Sequence, residues 1–276
     1  KNVQQKMGFW LLRICAFILI LILAVILADI ALKGWSAISL DFIFKAPTNG
    51  MTKGGIFPAI IGTILVTMIT AIFSIPVGVC AAIYLSEYSS ENAITRMIRA
   101  SIRNLAGVPS IVYGLFGVAL FVEGLRINAS ILTAGLTLGL LTLPWIIATS
   151  EEALRNVPNA YREGSLALGA TKWQMIWTNV LPYAVPGILT GSILGLSRAA
   201  GETAPILFTG VAFYLPKLPG SLLDQFMALP YHLYILSTQH HSITQVRPLA
   251  YGTALVLIVL VLMLNLTAII IRYKLR

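Results

Sequence analysis

The stretch 11–32, LLRICAFILILILAVILADIAL, contains twenty-two residues of which only Arg13 and Asp29 carry charge. A helix needs about 20 apolar residues to cross a bilayer core of about 30 Å, and a run apolar on every face has no place on the surface of a small soluble protein. Comparable runs lie at 56–85, 105–122, 130–150, 183–213 and 249–271. None alternates with the period of two that marks barrel strands. Backbone polar groups in hydrocarbon must be paired within their own segment, so the sequence predicts an all-α integral membrane protein of six transmembrane helices. The composition agrees: 58% of the 276 residues are hydrophobic and 11% charged, too few polar side chains to cover a soluble globule.

The first span follows Lys1, Lys6 and Arg13 and lacks a small-residue cleavage site before Lys33, so it predicts a retained anchor rather than a signal peptide. The chain begins without Met, so a few native residues are expected ahead of Lys1. The second span is about 30 residues long and contains Pro58, Pro76 and Gly78, which predicts tilt or kinking. The third and fourth are joined by a short loop with Glu123 and Arg126 and should form an antiparallel hairpin. The expected organisation is an anchor and first outer loop over 1–55 and a transmembrane core over 56–271. That core carries a cytoplasmic loop at 151–182 and an outer loop at 214–248.

The net charge of +9 raises the question of nucleic acid, but short membrane loops collect Lys and Arg on the inner side by the positive-inside rule. With the N-terminus inside, the inner segments hold twelve basic residues: Lys1, Lys6, Arg13, Arg96, Arg99, Arg103, Arg155, Arg162, Lys172, Arg272, Lys274 and Arg276. The outer loops hold six: Lys33, Lys45, Lys53, Arg126, Lys217 and Arg247. The bias places both termini and the loop at 151–182 in the cytoplasm, makes the bilayer the partner of the apolar surface and sets nucleic acid aside.

Cys15 and Cys80 fall in apolar spans, match no redox spacing and read as small core residues. Asp29 is either an interfacial carboxylate or a functional ionisable group. His232, His240 and His241 lie in the outer loop without a Cys or paired carboxylate at ligand spacing, which predicts interfacial or partner contact and no metal site. The aromatic residues and leucines of that loop predict an interfacial helix on the outer surface. No G-x-x-x-x-G-K-[ST] phosphate cradle occurs, and no nucleophile, base or cofactor constellation is present, so neither catalysis nor ATP hydrolysis is expected of this chain.

The polar island 156–182 reads as two short helices about a glycine turn. Asn156 is placed as N-cap with Pro158 in the first turn, Leu166 and Leu168 lie along the helix, and Gly169 suits a left-handed C-cap. Thr171 and Gln174 have capping-box spacing. Trp173, Ile176, Trp177 and Val180 give the next helix an apolar side, and Pro182 marks a break. Such an elbow suits docking in a groove of another protein.

In the fifth span Gly187, Gly191 and Gly195 recur every four residues, with Ala199 continuing a row smooth enough for a second helix backbone. Arg198 and Glu202 lie about 60° around the helix from the row and are expected to face the bundle. Gly201, Thr203 and Pro205 should loosen the helix beside them. Two readings stay open for the pair: a self-contained i, i+4 ion pair, or a ligand-facing site at a depth of about 22 Å in the membrane.

Three motifs together resemble one family. REGSLALGATKWQ at 162–174 is similar to the "EAA" loop of ATP-binding-cassette importer permeases, whose pattern is Glu-Ala-Ala, three residues, Gly, nine residues, Ile-x-Leu-Pro. Glu163, Gly169, Leu181 and Pro182 match it, while Gly164 and Ser165 stand for the two alanines and Asn179 for the isoleucine. GGIFPAIIGT at 54–63 and SRAAGETAP at 197–205 narrow the resemblance to PstA-type phosphate permeases, over roughly Gly54 to the C-terminus. The resemblance implies the type I importer permease fold, in the inner membrane of a bacterium. It also implies a pathway for inorganic phosphate shared with a PstC-like second permease, two copies of a PstB-like ATPase and a PstS-like phosphate-binding protein. Glu163, Leu166, Gly169, Ala170, Thr171 and Trp173 would then serve ATPase coupling, and Arg198, Glu202 and Thr203 would line the substrate path. Rival readings are a permease of the same class for another oxyanion or small solute, and an ATP-independent channel or secondary carrier.

Overall fold

The computed structural model describes residues 2–274. Helix α1 (Asn2–Trp35) is long, and its most apolar window buries nothing within the chain. A short α2 (Leu40–Phe44) follows, capped by the Ser39 hydroxyl, which accepts from the Phe42 N–H. A small hairpin of β1 (Pro47–Thr48) and β2 (Lys53–Gly54) then leads into α3 (Phe57–Ile83). Pro76 lies inside α3, which continues as a π-helical turn, Tyr84–Tyr88.

Helices α4 (Ala93–Leu105) and α5 (Ser110–Gly117) come next, the latter extended by a π-helical stretch, Val118–Gly124. The expected third span at 105–122 falls on α5 and its extension, and α4 meets them at 102° instead of continuing them as a straight rod. Gly107 and Pro109 interrupt the helix, since the residue before a proline is driven out of the α region. The Tyr113 hydroxyl closes the corner by donating to the Leu105 carbonyl at 2.9 Å. Helix α6 (Ile131–Arg155) is the central element, capped by Ser130 and packed antiparallel to α5, as the expected hairpin requires.

Beyond it come α7 (Asn159–Ala167) and α8 (Lys172–Met175), then a π-helical turn, Ile176–Val180, and α9 (Leu181–Gly201). A separate α10 (Ala204–Thr209) follows, then α11 (Leu229–Tyr234) with its π-helical turn Ile235–Gln239, and finally α12 (Ile243–Lys274). Among the described residues five helices are long and apolar enough to span a membrane, or six if the bent pair counts as one span.

The core is an α3–α6–α9 layer. Glycines bring these helices together: a Cβ on Gly78 would stand 2.7 Å from the Ile146 side chain, and one on Gly135 or Gly139 would overlap Ile69 or Phe73. Buried Thr63, Thr67, Thr70 and Ser74 line one face of α3, each returning its hydroxyl to the carbonyl four residues back, and Thr70 also reaches the Gly135 carbonyl at 3.1 Å. Hydroxyls satisfied in this way avoid the large penalty of an unpaired polar group in an apolar layer.

Several expectations are corrected. Cys15 and Cys80 are exposed, on helix faces that this chain leaves to lipid or a neighbour, because hydrophobicity inside a membrane does not distinguish core from perimeter. Asn156 is the C-cap of α6, and Pro158 precedes α7. Pro182 makes no break: its missing N–H is taken up by the π-helical turn Ile176–Val180 just before it, and residues 172–201 run as one continuous helix. The outer loop does not lie wholly on the surface: residues 216–225 are mostly exposed, but the part that follows turns inward. Phe226, Met227, Ala228, Leu229, Ile235 and Leu236 are at most 2% exposed, with the Leu229 N–H held by the Thr63 hydroxyl at 2.8 Å. His232 and His240 are buried within the chain rather than kept for a partner, and only His241 is exposed. The Asp29 carboxylate pairs with Lys33 at 2.6 Å.

Candidate coupling elbow and substrate path

The elbow is built by local chemistry. Gly169 takes φ +82°, its N–H returns to the Leu166 carbonyl at 3.0 Å, and the Ala170 N–H returns to the Ser165 carbonyl at 3.1 Å. These two bonds are the Schellman turn that a glycine at this position favours. The capping box expected of Thr171 and Gln174 is present in both directions, at 3.3 and 2.8 Å. The end of α7 and the start of α8, the two ends that meet at the turn, are therefore capped before any partner arrives.

Val157, Met175, Ile176 and Val180 seat the elbow against Ala82 and Leu154. Glu163, Leu166, Gly169, Thr171 and Trp173 are exposed and Ala170 is half-buried, so the residues singled out for coupling share one outward region. Leu168 is 91% exposed, and Trp173 stacks on Trp177 at 5.5 Å between ring centres. Two of the three departures from the EAA pattern meet. Asn179 donates its amide to the Ser165 hydroxyl at 2.7 Å, pinning α7 to the π-helical turn before α9.

A charge network beneath the elbow was not legible in the sequence. Arg162 grips Glu87 at 2.8 and 3.1 Å, and Arg99 donates to Glu151 at 2.6 Å and to Glu91 at 2.7 Å. Arg155 adds to Glu91 and Glu151 at 3.2 and 3.1 Å. The hydrogen bond from Arg99 holds the Glu91 carboxyl below the usual carboxylate range. The only sequence signal was a clustering of acids and arginines at span ends, and their pairing is a matter of tertiary distance.

In α9 the glycine row is real but faces inward. A Cβ on Gly187 would stand 2.7 Å from that of Ala153, one on Gly191 would overlap Thr149, and one on Gly195 would stand 3.3 Å from the Trp145 ring. The row therefore packs on α6 of the same chain. Arg198 is not turned into this bundle as expected: its side chain is 61% exposed and Glu202 17%, and their Nε–Oε1 distance is 3.3 Å. The reason is angular. Helix α6 covers the glycine row and α12 covers the side where Ser197 bonds Asn265, leaving an uncovered strip of Leu194, Arg198 and Gly201.

The antiparallel register of α6 and α9 puts Arg198 level with about residues 141–142, near the middle of α6. The expected loosening is present: α9 ends at Gly201, Glu202 turns extended at φ −74°, ψ 134°, and half-buried Thr203 precedes α10. The ion pair and the break thus coexist at mid-depth on a face that this chain leaves open. Among the described residues no His, Cys, Asp and Glu cluster suits a metal ion.

A bundle of helices long enough to span a membrane, with a self-capped helix pair beyond its core and a helix broken at Gly201 to Thr203, fits a transport permease. The chain belongs to the family of binding-protein-dependent transport system inner membrane components, whose model matches residues 74–275. Among relatives, it is 35% identical over 248 residues to the phosphate transport system permease protein PstA 1 of Mycobacterium tuberculosis strain H37Rv, covering 87% of this chain and 78% of that protein. It is 32% identical over 265 residues to a probable PstA of Methanocaldococcus jannaschii (95% and 91% covered). Identity is 31% over 280 residues to the probable ABC transporter permease YqgI of Bacillus subtilis strain 168 (97% and 95%). The fold is that of type I ABC importer permeases. A chain of a bacterial alginate ABC transporter aligns at TM-score 0.67 with 14% identity, over 97% of this chain and 94% of that one. The MetNI methionine ABC transporter aligns at 0.61 with 19% identity, over 79% and 94%.

Proposed function

We propose that this chain is one permease half of an ATP-driven importer of inorganic phosphate. The observation that carries the reading is the elbow, a pre-folded helix pair that exposes Leu166, Leu168 and Trp173 outside the bundle it is rigidly seated on. Apolar side chains held out on a self-capped scaffold suit a groove of a partner, and two copies of a PstB-like ATPase are the partners proposed. Their ATP hydrolysis would supply the energy, with this chain contributing no catalysis. The open strip of α9 would face a PstC-like second permease, so that Arg198, Glu202 and Thr203 line the path between the halves. A PstS-like binding protein would deliver phosphate from outside. The core would be 56–271, with 1–55 as an added anchor and both termini in the cytoplasm.

Phosphate is favoured over other solutes by the names of the relatives and by Arg198. A guanidinium offers a fixed fork that matches phosphate oxygens, and an Arg at mid-depth is unfavourable by about 2.5–3.5 kcal/mol unless water, a partner or a ligand meets it. The test is uptake of radiolabelled phosphate by vesicles containing the chain with its ATPase, second permease and binding protein. ATP-dependent uptake that molybdate and phosphonate fail to compete away is expected. Uptake without ATP would favour a channel or carrier, and preferential uptake of another oxyanion would reassign the substrate.

A further inference from the structure

We propose that the π-helical turn Tyr84–Tyr88 is the receiver through which the elbow drives α3, with Arg162 as the positioning residue that locks the joint. The inference rests on the elbow being the ATPase docking segment, and it concerns how a push there reaches the membrane.

By chain connectivity the elbow is joined to only two spans. Residues 156–158 link it to α6, and α8 runs through its π-helical turn into α9. The link at 156–158 is a natural hinge, since α6 has ended and Pro158 holds its neighbour out of the α region. A push on a hinged elbow would reach α9 through Asn179 but would meet α3 only through apolar contact around Ala82.

Arg162 closes that hinge. Its Nη1 donates to the Val157 carbonyl in the link at 2.7 Å and its Nη2 to the Leu154 carbonyl at 2.9 Å, where it adds to the 3.2 Å bond from the Val157 N–H at the end of α6. The same guanidinium takes both oxygens of Glu87, at 2.8 and 3.1 Å. Glu87 is 5% exposed and Arg162 17%, so the pair is shielded from the salt that weakens surface bridges. Five planar donors make this possible, and an ammonium could not bind two carbonyls and a carboxylate fork at once.

The second half of the elbow grips the same turn. Lys172, the first residue of α8, places its Nζ 5.1 Å from the ring centre of Tyr88. The turn Tyr84–Tyr88 is thus held from α7 through Glu87 and from α8 through Tyr88. A π-helical turn is an irregularity that often occurs at functional positions, and here it turns Glu87 and Tyr88 toward the elbow. Because α3 is packed along α6 through Gly78, Gly135 and Gly139, motion given to the turn is motion of the whole α3–α6 layer.

The experiment measures ATP hydrolysed per phosphate imported by the complete complex in vesicles, for Arg162→Gln, Arg162→Lys and Glu87→Gln. A structural pair would change thermal stability and leave this ratio alone. We expect Arg162→Gln and Glu87→Gln to raise the ratio at least about fivefold with hydrolysis retained, and Arg162→Lys to fall between them and the unsubstituted complex. An unchanged ratio in assembled Arg162→Gln overturns the proposal, as does loss of assembly in all three variants, which would make the pair purely structural. Failure of the unsubstituted complex to import phosphate while hydrolysing ATP is the separate result that defeats the proposed function, and this inference with it.

Discussion

The amide of Asn179 donates to the hydroxyl of Ser165 at 2.7 Å, fourteen residues apart, across the two limbs of the elbow. Each residue taken singly departs from the EAA pattern, but together they replace an apolar contact by a polar one. Ser165 also donates to the Tyr161 carbonyl at 2.7 Å, so its hydroxyl is used in both directions. Ser165→Ala alone should therefore lower thermal stability by about 1 kcal/mol, because the Asn179 amide loses a partner in a half-buried site. The double variant Ser165→Ala with Asn179→Ile should recover most of that loss. Additive losses in a double-mutant cycle would show that the two positions are independent.

Gly169→Val should cost function more than folding. A β-branched residue at φ +82° is strained by about 1–3 kcal/mol, yet no atom of the chain stands within 4 Å of where its Cβ would lie. The elbow would lose its turn while the bundle stays intact. Membrane levels should be unchanged, phosphate-stimulated ATPase activity should fall, and Gly169→Asn, tolerated in the left-handed region, should be close to normal. Full activity of the valine variant would remove the turn from the coupling account.

Gly191→Leu should act inside this chain, before any partner is met. Since a Cβ there already overlaps Thr149, the α6–α9 layer must separate, at a cost of at least about 1–3 kcal/mol. The measurement is thermal unfolding of the chain alone in detergent. A stable monomer that fails only in complex assembly would place the row at the subunit interface instead. Gly164→Ala, with open space around its Cβ, is the tolerated control.

Arg198→Gln should abolish phosphate uptake while the complex still assembles, Arg198→Lys should retain a fraction, and Glu202→Gln should slow release by freeing the guanidinium to hold the anion. The 61% exposure of Arg198 means that its loss leaves no buried hole in this chain. Normal uptake by an assembled Arg198→Gln complex would make the pair an ordinary i, i+4 bridge.

His232 gives a pH dependence. Burial, with a smaller contribution from His240, pushes its pKa down to about 4, and its Nδ1 has no hydrogen-bond partner. The folded chain therefore keeps the ring neutral while an unfolded chain, with an ordinary pKa near 6.5, would protonate it. Between those values the unfolded state binds more protons, so stability should fall as pH drops from about 6.5 toward 4, by on the order of 2–3 kcal/mol. Thermal unfolding across that range should show the slope, and His232→Gln should flatten it. An unchanged slope would mean that other groups carry the acid response.

The sequence alone determined what local chemistry controls. Apolar run lengths defined the spans, because a bilayer of fixed thickness requires them. The Gly169 turn and the Thr171–Gln174 capping box were readable because both are made of neighbouring residues. The loosening at Gly201 to Thr203 was readable for the same reason. Tertiary structure decided whatever depended on which side of a helix meets what. Lipid-facing and core-facing sides of a membrane span are both largely apolar, so hydrophobicity could not show that Cys80 is peripheral, that the Gly187–Gly195 row packs on α6, or that Arg198 stands on the uncovered strip. Nor could it fold the outer loop inward or bring Arg162 to Glu87, seventy-five positions away. Those contacts are set by the close approach of α3, α6 and α9, a property of three helices packed together that no single span contains.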